Sequence, residues 1–484
     1  MNQPYDVVIV GGGVVGSAIA RELARYQLRI AVLEKNLDVC FETSGRNSAV
    51  LHGGFAYDTG TLKARFCVEG NHEFDQVAAE LDVPFKRTGK VLVGNTPADM
   101  EQLKRTMAQG AANHATGLEL IDDDRLHQLV PAVNGKFALL SKNSGILDPF
   151  LYTIALAENA AANGAEYHFG AEVTAIRRVN EVYHLDTAKG TYLARWVINS
   201  AGLGCGKISA MLGMNTYKVV GSKGTYIILD KKTGPLLPMP VYPVPSNTYM
   251  GIHVTPTVDG NVIVGPDAEQ VGLETEPDYG VPQANMDYLA DSANGLWPCI
   301  KKADYIRNYS GILPKWVDDN GVIQDFKIEA NPKAPNTVNL IGIESPALTA
   351  ALPIGRYVVS LIAAQESLSH KTDFNPVHKG IVRFAMQTPE HQAQMIAENP
   401  DYGELVCRCE KVTRAELLEA IHNPLGADTL VSVKYRTRAM MGRCQGGYCQ
   451  TRMAEMILSE KSKAVTSLVY ARNGSNLFYG RVKE

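Results

Sequence analysis

The first thirty-four residues alternate between apolar runs and short glycine-rich or polar breaks in a way that predicts three successive elements. A β-branched run, Val7-Val8-Ile9-Val10, meets Gly11-Gly12-Gly13-Val14-Val15-Gly16. A helix-like pattern follows over Ser17 to Tyr26, and a second apolar strand, Ile30 to Leu33, ends in Glu34. Strand, turn, helix and strand in that order make a complete βαβ unit. Further along, the pattern predicts a strand over Lys90-Val91-Leu92-Val93 and a helix from Leu151 to Asn163. A strand ending in Glu172-Val173-Thr174 comes next, then one over Trp196-Val197-Ile198-Asn199 that runs into Ala201-Gly202. Residues 216–325 are rich in β-branched and aromatic positions punctuated by Pro and Gly, as a large antiparallel sheet requires. Val338 to Gly342 then leads through Ser345-Pro346-Ala347 into a helix ending near Gln365, a second strand–turn–helix.

This order predicts an α/β fold. A discontinuous Rossmann-like dinucleotide-binding domain comprises 1–80, 150–215 and 326–370. An antiparallel-sheet substrate or cap domain, 81–149 and 216–325, is inserted into it. Pro376, Pro389 and Pro400 mark 371–402 as a linker, and 403–484 forms a small helical C-terminal domain with its tail.

At 484 residues the chain is long enough for two or three domains, and its net charge of −4 points neither to nucleic acid nor to an anionic membrane. The apolar stretch from Ala347 to Ala364 is interrupted by Pro353 and Arg356, which argues against a membrane span. With the glycine fingerprint so near Met1, no cleaved signal peptide is expected, and the location expected is cytoplasmic. Cys40, Cys67, Cys205 and Cys299 are scattered singly, as packed thiols would be.

Each part of the fingerprint has a mechanical purpose. In G-x-G-x-x-G the first glycine makes the tight turn, the second admits a pyrophosphate, and the third lets helix and strand pack closely. The helix N-terminus favours phosphate, and Glu34, eighteen residues after Gly16, is placed to accept from ribose hydroxyls. Near the other end stand Cys407, Cys409, Cys444 and Cys449, spaced C-x-C, thirty-four residues, C-x4-C. Paired thiolates of this kind suit an iron–sulfur cluster first, zinc second, and disulfides last in a reducing compartment. Lys434, Arg436, Arg438 and Arg443 crowd the second pair, where they offset an anionic cluster or meet an acidic partner.

Several stretches carry a family resemblance. They are Thr43 to Gly54 (TSGRNSAVLHGG), Gly60 to Arg65 (GTLKAR), Tyr242 to Pro245 (YPVP), Gly251 to Pro256 (GIHVTP) and Gly265-Pro266. With them, residues 1–370 resemble the D-amino-acid-oxidase-like flavoproteins, in the branch of glycerol-3-phosphate dehydrogenases and L-2-hydroxyglutarate oxidases. Residues 403–455 resemble the two-iron two-sulfur domain of bacterioferritin-associated ferredoxin.

The resemblance implies FAD contacts from Gly11, Gly13, Val15, Gly16 and Glu34. It implies that Ser44, Arg46, Asn47 and Ser48 line the isoalloxazine and phosphates, that Val173 meets the adenine, and that Ala201 and Gly202 pass the pyrophosphate. Leu348 and Thr349 face the flavin's pyrimidine side. His52 is the first candidate for the base that takes the substrate's hydroxyl proton, and His253 the second. Where the family pattern G-x-R-P expects a substrate-binding arginine, this chain has Leu313, and Lys223, Arg307 and Lys315 are the candidates to supply the charge from a different direction.

The expected function is an FAD-dependent dehydrogenase of a small anionic alcohol. Glycerol 3-phosphate and a 2-hydroxy acid such as L-2-hydroxyglutarate are the expected kinds of substrate, with electrons passing through a 2Fe–2S cluster. An amino-acid or secondary-amine dehydrogenase and an electron-transfer subunit without its own substrate are the alternatives. Relatives with this fusion pair with a second flavoprotein subunit, which implies a hetero-oligomer.

Overall fold

The computed structural model describes residues 3–214, 217–245, 251–274, 276–331 and 333–480. Its first sheet is built around five parallel strands in the order Thr337–Ile341, Gly190–Asn199, Tyr5–Val10, Ile30–Glu34 and Ala165–Phe169. Their sequences are almost continuously apolar because helices cover both faces. The helices Val14–Leu23, Leu62–Leu81, Pro149–Ala162 and Ala347–Ala363 pack on one face and share a core with Ile9, Trp196, Val338 and Ile354. No helix among the described residues is long and apolar enough to cross a membrane.

Two local expectations are corrected. The fingerprint helix begins at Val14, not Ser17, because Gly13 takes the extended N-cap position, and it ends at Leu23. The strand expected to finish at Glu172–Thr174 is two strands. Gly170, at φ +61°, breaks the chain after Phe169, the amide of Ala171 bonds to the carbonyl of Glu34, and a new strand runs from Val173 to Val179.

The second sheet joins both insert segments. Lys90–Gly94, Leu118–Ile121 and Phe137–Ser141 pair with strands drawn from 218–317, nine strands among the described residues. Its outer face carries a core of Val91, Val93, Val241, Val254, Ile227 and Trp297. On its other face Leu92, Leu139 and Tyr242 pack with Phe55 and with Leu103 of the helix Pro97–Ala112.

The segment expected as a linker carries the helix Pro389–Glu398 and is tied down before it. His378 Nε2 lies 2.9 Å from Glu158 Oε2, and Asn159 and Asn163 each donate to the Asn375 carbonyl. The C-terminal domain is held by the helix Leu430–Thr437. Tyr435 stacks on Phe150 at 4.1 Å, and the buried Arg436 bonds Asp38 at 2.6 Å and Glu158 at 3.0 Å. Arg436→Ala leaves the buried Asp38 without its cation and Glu158 with His378 alone, and is expected to cost about 3–5 kcal/mol in urea unfolding. A loss below about 1 kcal/mol would show that the carboxylates find water, in the range of an exposed pair.

Candidate active site and cluster-binding loops

The C-terminal end of the first strand is shaped for close approach. Gly11 has φ +106°, and a Cβ there would overlap the carbonyl oxygen of Ser200. A Cβ on Gly16 would strike the carbonyl of Gly11, whereas one on Gly13 meets only Ser44 Oγ, at 3.1 Å, so Gly13 borders open space. The helix Val14–Leu23 has no side-chain cap, and Ser44 Oγ accepts from the Val14 amide at 3.0 Å. Val15 stands in the same uncapped first turn.

Glu34 is buried. Its Oε2 accepts from Gly12 N at 2.7 Å and its Oε1 from Asn36 N at 2.8 Å, while burial raises its pKa against those bonds. Ala201 and the left-handed Gly202 close the other side, and Val173 opens the strand beyond Glu34. A helix end whose N-cap is a glycine, a glycine cradle and a buried acid fit the adenosine diphosphate half of FAD. Gly11→Ala combines a positive φ with a backbone overlap. It is expected to strip FAD during purification and to lower apoprotein stability by about 1–3 kcal/mol, read by the flavin-to-protein ratio and by thermal melting.

From Thr43 to His52 the chain is pinned between the two sheets. Thr43 Oγ1 donates to the Ile312 carbonyl at 2.7 Å, Tyr309 OH to the Asn47 carbonyl at 2.7 Å, and Arg46 to the Phe41 and Ser310 carbonyls. Asn47 turns back on Ser44 and Ala49, and Ser48 bonds the Tyr242 hydroxyl. His52 is then held by its backbone, and its ring meets that of Tyr57 edge-on at 6.2 Å. Its amide donates to Thr349 Oγ1 at 3.0 Å, beside Leu348 in the first turn of Ala347–Ala363, and its carbonyl accepts from Asn71 at 2.8 Å.

The imidazole of His52 is partly buried beside Tyr57. Burial, then Lys90 and His253, holds its pKa well below the ordinary imidazole range, so it is neutral and able to accept a proton. His253 is buried and stacks on Tyr242 at 3.8 Å. Its Nδ1 lies 3.0 Å from Thr255 Oγ1, and burial lowers its pKa to about 3.

The three cations expected for the substrate lie in different places. Lys223 is opposite Ile312, out of phase with the stacked pair Tyr226–Tyr309, and alternation therefore turns it to the outer face, where it meets Asp278 at 3.4 Å. Arg307 reaches the C-terminal domain and bonds Gln445 Oε1 at 3.0 Å. Lys315 shares the buried Glu344 with Lys63, both at 2.7 Å. Sequence reasoning missed Lys90 and its aromatic walls. Its Nζ lies 4.8 Å from the Phe55 ring centre and 4.6 Å from that of Tyr242, with 1% of the residue exposed. The only signal was a lysine opening an apolar strand.

The four C-terminal cysteines converge from two loops. A Cβ on Gly442 would overlap Cys409 Cβ, so glycine is required where the loops abut. The Cys449 thiol bonds to Cys407 and, with the amides of Glu410 and Met440, brings Cys407 down to about 6; Cys409 pairs likewise with Cys444. The amides of Tyr448 and Gly446 point at Cys444. Arg438, Met440 and Gln445 in this region have left-handed backbone. Among the described residues no three such side chains meet as ligands of a single ion; the sulfurs gather two and two. A cavity of about 160 Å³ lies between Gly45, Arg46, Asn47 and Tyr309 on one side and Lys434, Met441 and Gln445 on the other.

A glycine cradle and a four-thiol domain on one chain fit a flavin-dependent oxidoreductase fused to a small cysteine-bearing domain. The chain belongs to the FAD dependent oxidoreductase family, which it matches over residues 6–361, and residues 405–459 match the BFD-like [2Fe-2S] binding domain. It is 35% identical over 482 residues to a glycerol 3-phosphate dehydrogenase of Caloramator mitchellensis, covering 99% of both chains. It is 29% identical to the mitochondrial L-2-hydroxyglutarate dehydrogenase of Arabidopsis thaliana, over 73% of this chain and 83% of that one. Among solved structures, the FAD-bound L-alpha-glycerophosphate oxidase of Mycoplasma pneumoniae superposes with a TM-score of 0.72 at 26% identity, over 78% of this chain and 99% of that one.

Proposed function

We propose that the protein is a dehydrogenase of a small anionic alcohol, glycerol 3-phosphate or a 2-hydroxy acid such as L-2-hydroxyglutarate, that delivers electrons through a 2Fe–2S cluster to a protein partner in the cytoplasm. FAD, when bound, supplies the hydride acceptor, and the cluster supplies one-electron transfer outward. The observation that carries the reading is the shared cavity between the flavin-side segment Gly45–Asn47 and the cysteine-bearing loop at Met441–Gln445. His52 takes the hydroxyl proton, Tyr242 and His253 form the wall beside it, and Gly11, Gly13, Val15, Gly16, Glu34, Ser44, Arg46, Asn47, Ser48, Val173, Ala201, Gly202, Leu348 and Thr349 hold FAD. The match of residues 405–459 to a BFD-like [2Fe-2S] binding domain supports the cluster over the alternative of one tetrahedral zinc. Cys409, Cys444 and Tyr448 are exposed, and this face is where an acceptor subunit docks.

The deciding experiment is anaerobic mixing of the holoenzyme with glycerol 3-phosphate, L-2-hydroxyglutarate, other hydroxy acids, amino acids and secondary amines while the visible flavin band is followed. Bleaching by an anionic alcohol is expected. Bleaching by amines alone would replace the alcohol reading, and no bleaching at all would leave an electron-transfer subunit. Iron and sulfide, not zinc, are expected on elemental analysis.

A further inference from the structure

Lys90 has what a ligand-binding cation needs and what a structural lysine avoids. It opens the strand Lys90–Gly94, and alternation sends Lys90 and Leu92 to the inner face while Val91 and Val93 enter the outer core. Among the described residues no carboxylate pairs with it. The groups that face it are the Cys67 thiol, the two imidazoles of His52 and His253, and the rings of Phe55 and Tyr242. None brings a negative charge, because burial pushes the Cys67 thiol and the Tyr242 hydroxyl up and the imidazoles are neutral. A buried ammonium without a counter-charge is costly, and aromatic walls return only part of the hydration it loses. The missing partner is an anion. Lys315 and Lys63 differ in this respect, since Glu344 already lies between them.

We propose that Lys90 receives the anionic group of the substrate beside His52, in place of the arginine whose position Leu313 occupies. The proposal rests on the anionic-alcohol reading, and it deepens that reading by naming the residue that selects charge. Burial lowers Lys90 to about 8, so the ammonium is present at pH 7 and is lost as pH rises through that value. A bound anion favours the charged form of Lys90 and also raises the basicity of His52, which couples substrate charge to proton acceptance.

The test uses the FAD-loaded full chain as wild type, K90Q and K90R. Perturbation of the flavin spectrum is titrated with inorganic phosphate and with malonate, both non-oxidisable, and anaerobic reduction is followed with glycerol 3-phosphate, L-2-hydroxyglutarate and uncharged glycerol. K90Q is expected to raise the dissociation constant for the effective anion by roughly 100-fold, the size of a lost charge-assisted bond, with a smaller fall in the limiting reduction rate. K90R is expected to restore part of the affinity and to abolish its decline above about pH 8. Unchanged anion affinity in K90Q, an equal loss for glycerol, or a lower limiting rate at constant affinity would each overturn the role of Lys90. Failure of every anionic alcohol to reduce wild type would instead sink the functional reading, while phosphate and malonate binding would still decide Lys90.

Discussion

Replacing His52 with glutamine is expected to slow flavin reduction by substrate about 10²–10⁴-fold while FAD stays bound, the range lost with a general base. Retention of FAD follows from how the residue is held. The anchors are its own amide on Thr349 Oγ1 and its carbonyl on Asn71, both of which glutamine keeps. The imidazole is depressed by burial and by Lys90, so it is unprotonated through the neutral range, and the acid limb of wild-type reduction lies below the ordinary histidine value. That limb is expected to vanish in the variant. His253 is less suited to the same task because its Nδ1 is committed to Thr255 and its ring to Tyr242. Stopped-flow reduction at several pH values checks both points, and an unchanged rate would assign His52 to shaping its loop.

The glycine turn of the first βαβ unit was legible because its determinants are local. Gly11, Gly16 and Glu34 lie within one βαβ unit, and each glycine is needed where backbone meets backbone. The cysteine pairs were legible for the same reason, each pair being set by a short loop. Lys223 was misread because its face depends on strand pairing, and only the register against Ile312 shows that it points outward. Arg307 belongs to an interdomain contact with Gln445 that no local pattern encodes. Lys90 was hidden for a third reason. A lysine at the start of an apolar strand reads as a solvated end, and its environment is assembled from Phe55, Tyr242 and His253, which are distant in the chain.

Changing Cys444 and Cys449 together to serine is expected to separate two halves of turnover. On the proposed function, substrate oxidation uses the residues around His52 and the nucleotide cradle, neither of which contains either cysteine, so a single anaerobic turnover should still bleach the flavin at a rate within a few-fold of wild type. Export of the electrons is another matter. The segment Gly45–Asn47 faces Lys434, Met441 and Gln445 across the shared cavity, and Cys444 immediately precedes Gln445. With the thiolates gone, one-electron transfer loses its carrier, and steady-state reduction of the partner should fall to background. Serine nearly matches cysteine in size, and the domain's clamp, Arg436 with Asp38 and Glu158, is untouched, so the C-terminal domain stays docked. The comparison of bleaching rate with turnover in the presence of the partner therefore reads electron transfer alone. If turnover persists in the cluster-free variant, the C-terminal domain is a structural brace and electrons leave the flavin by another face.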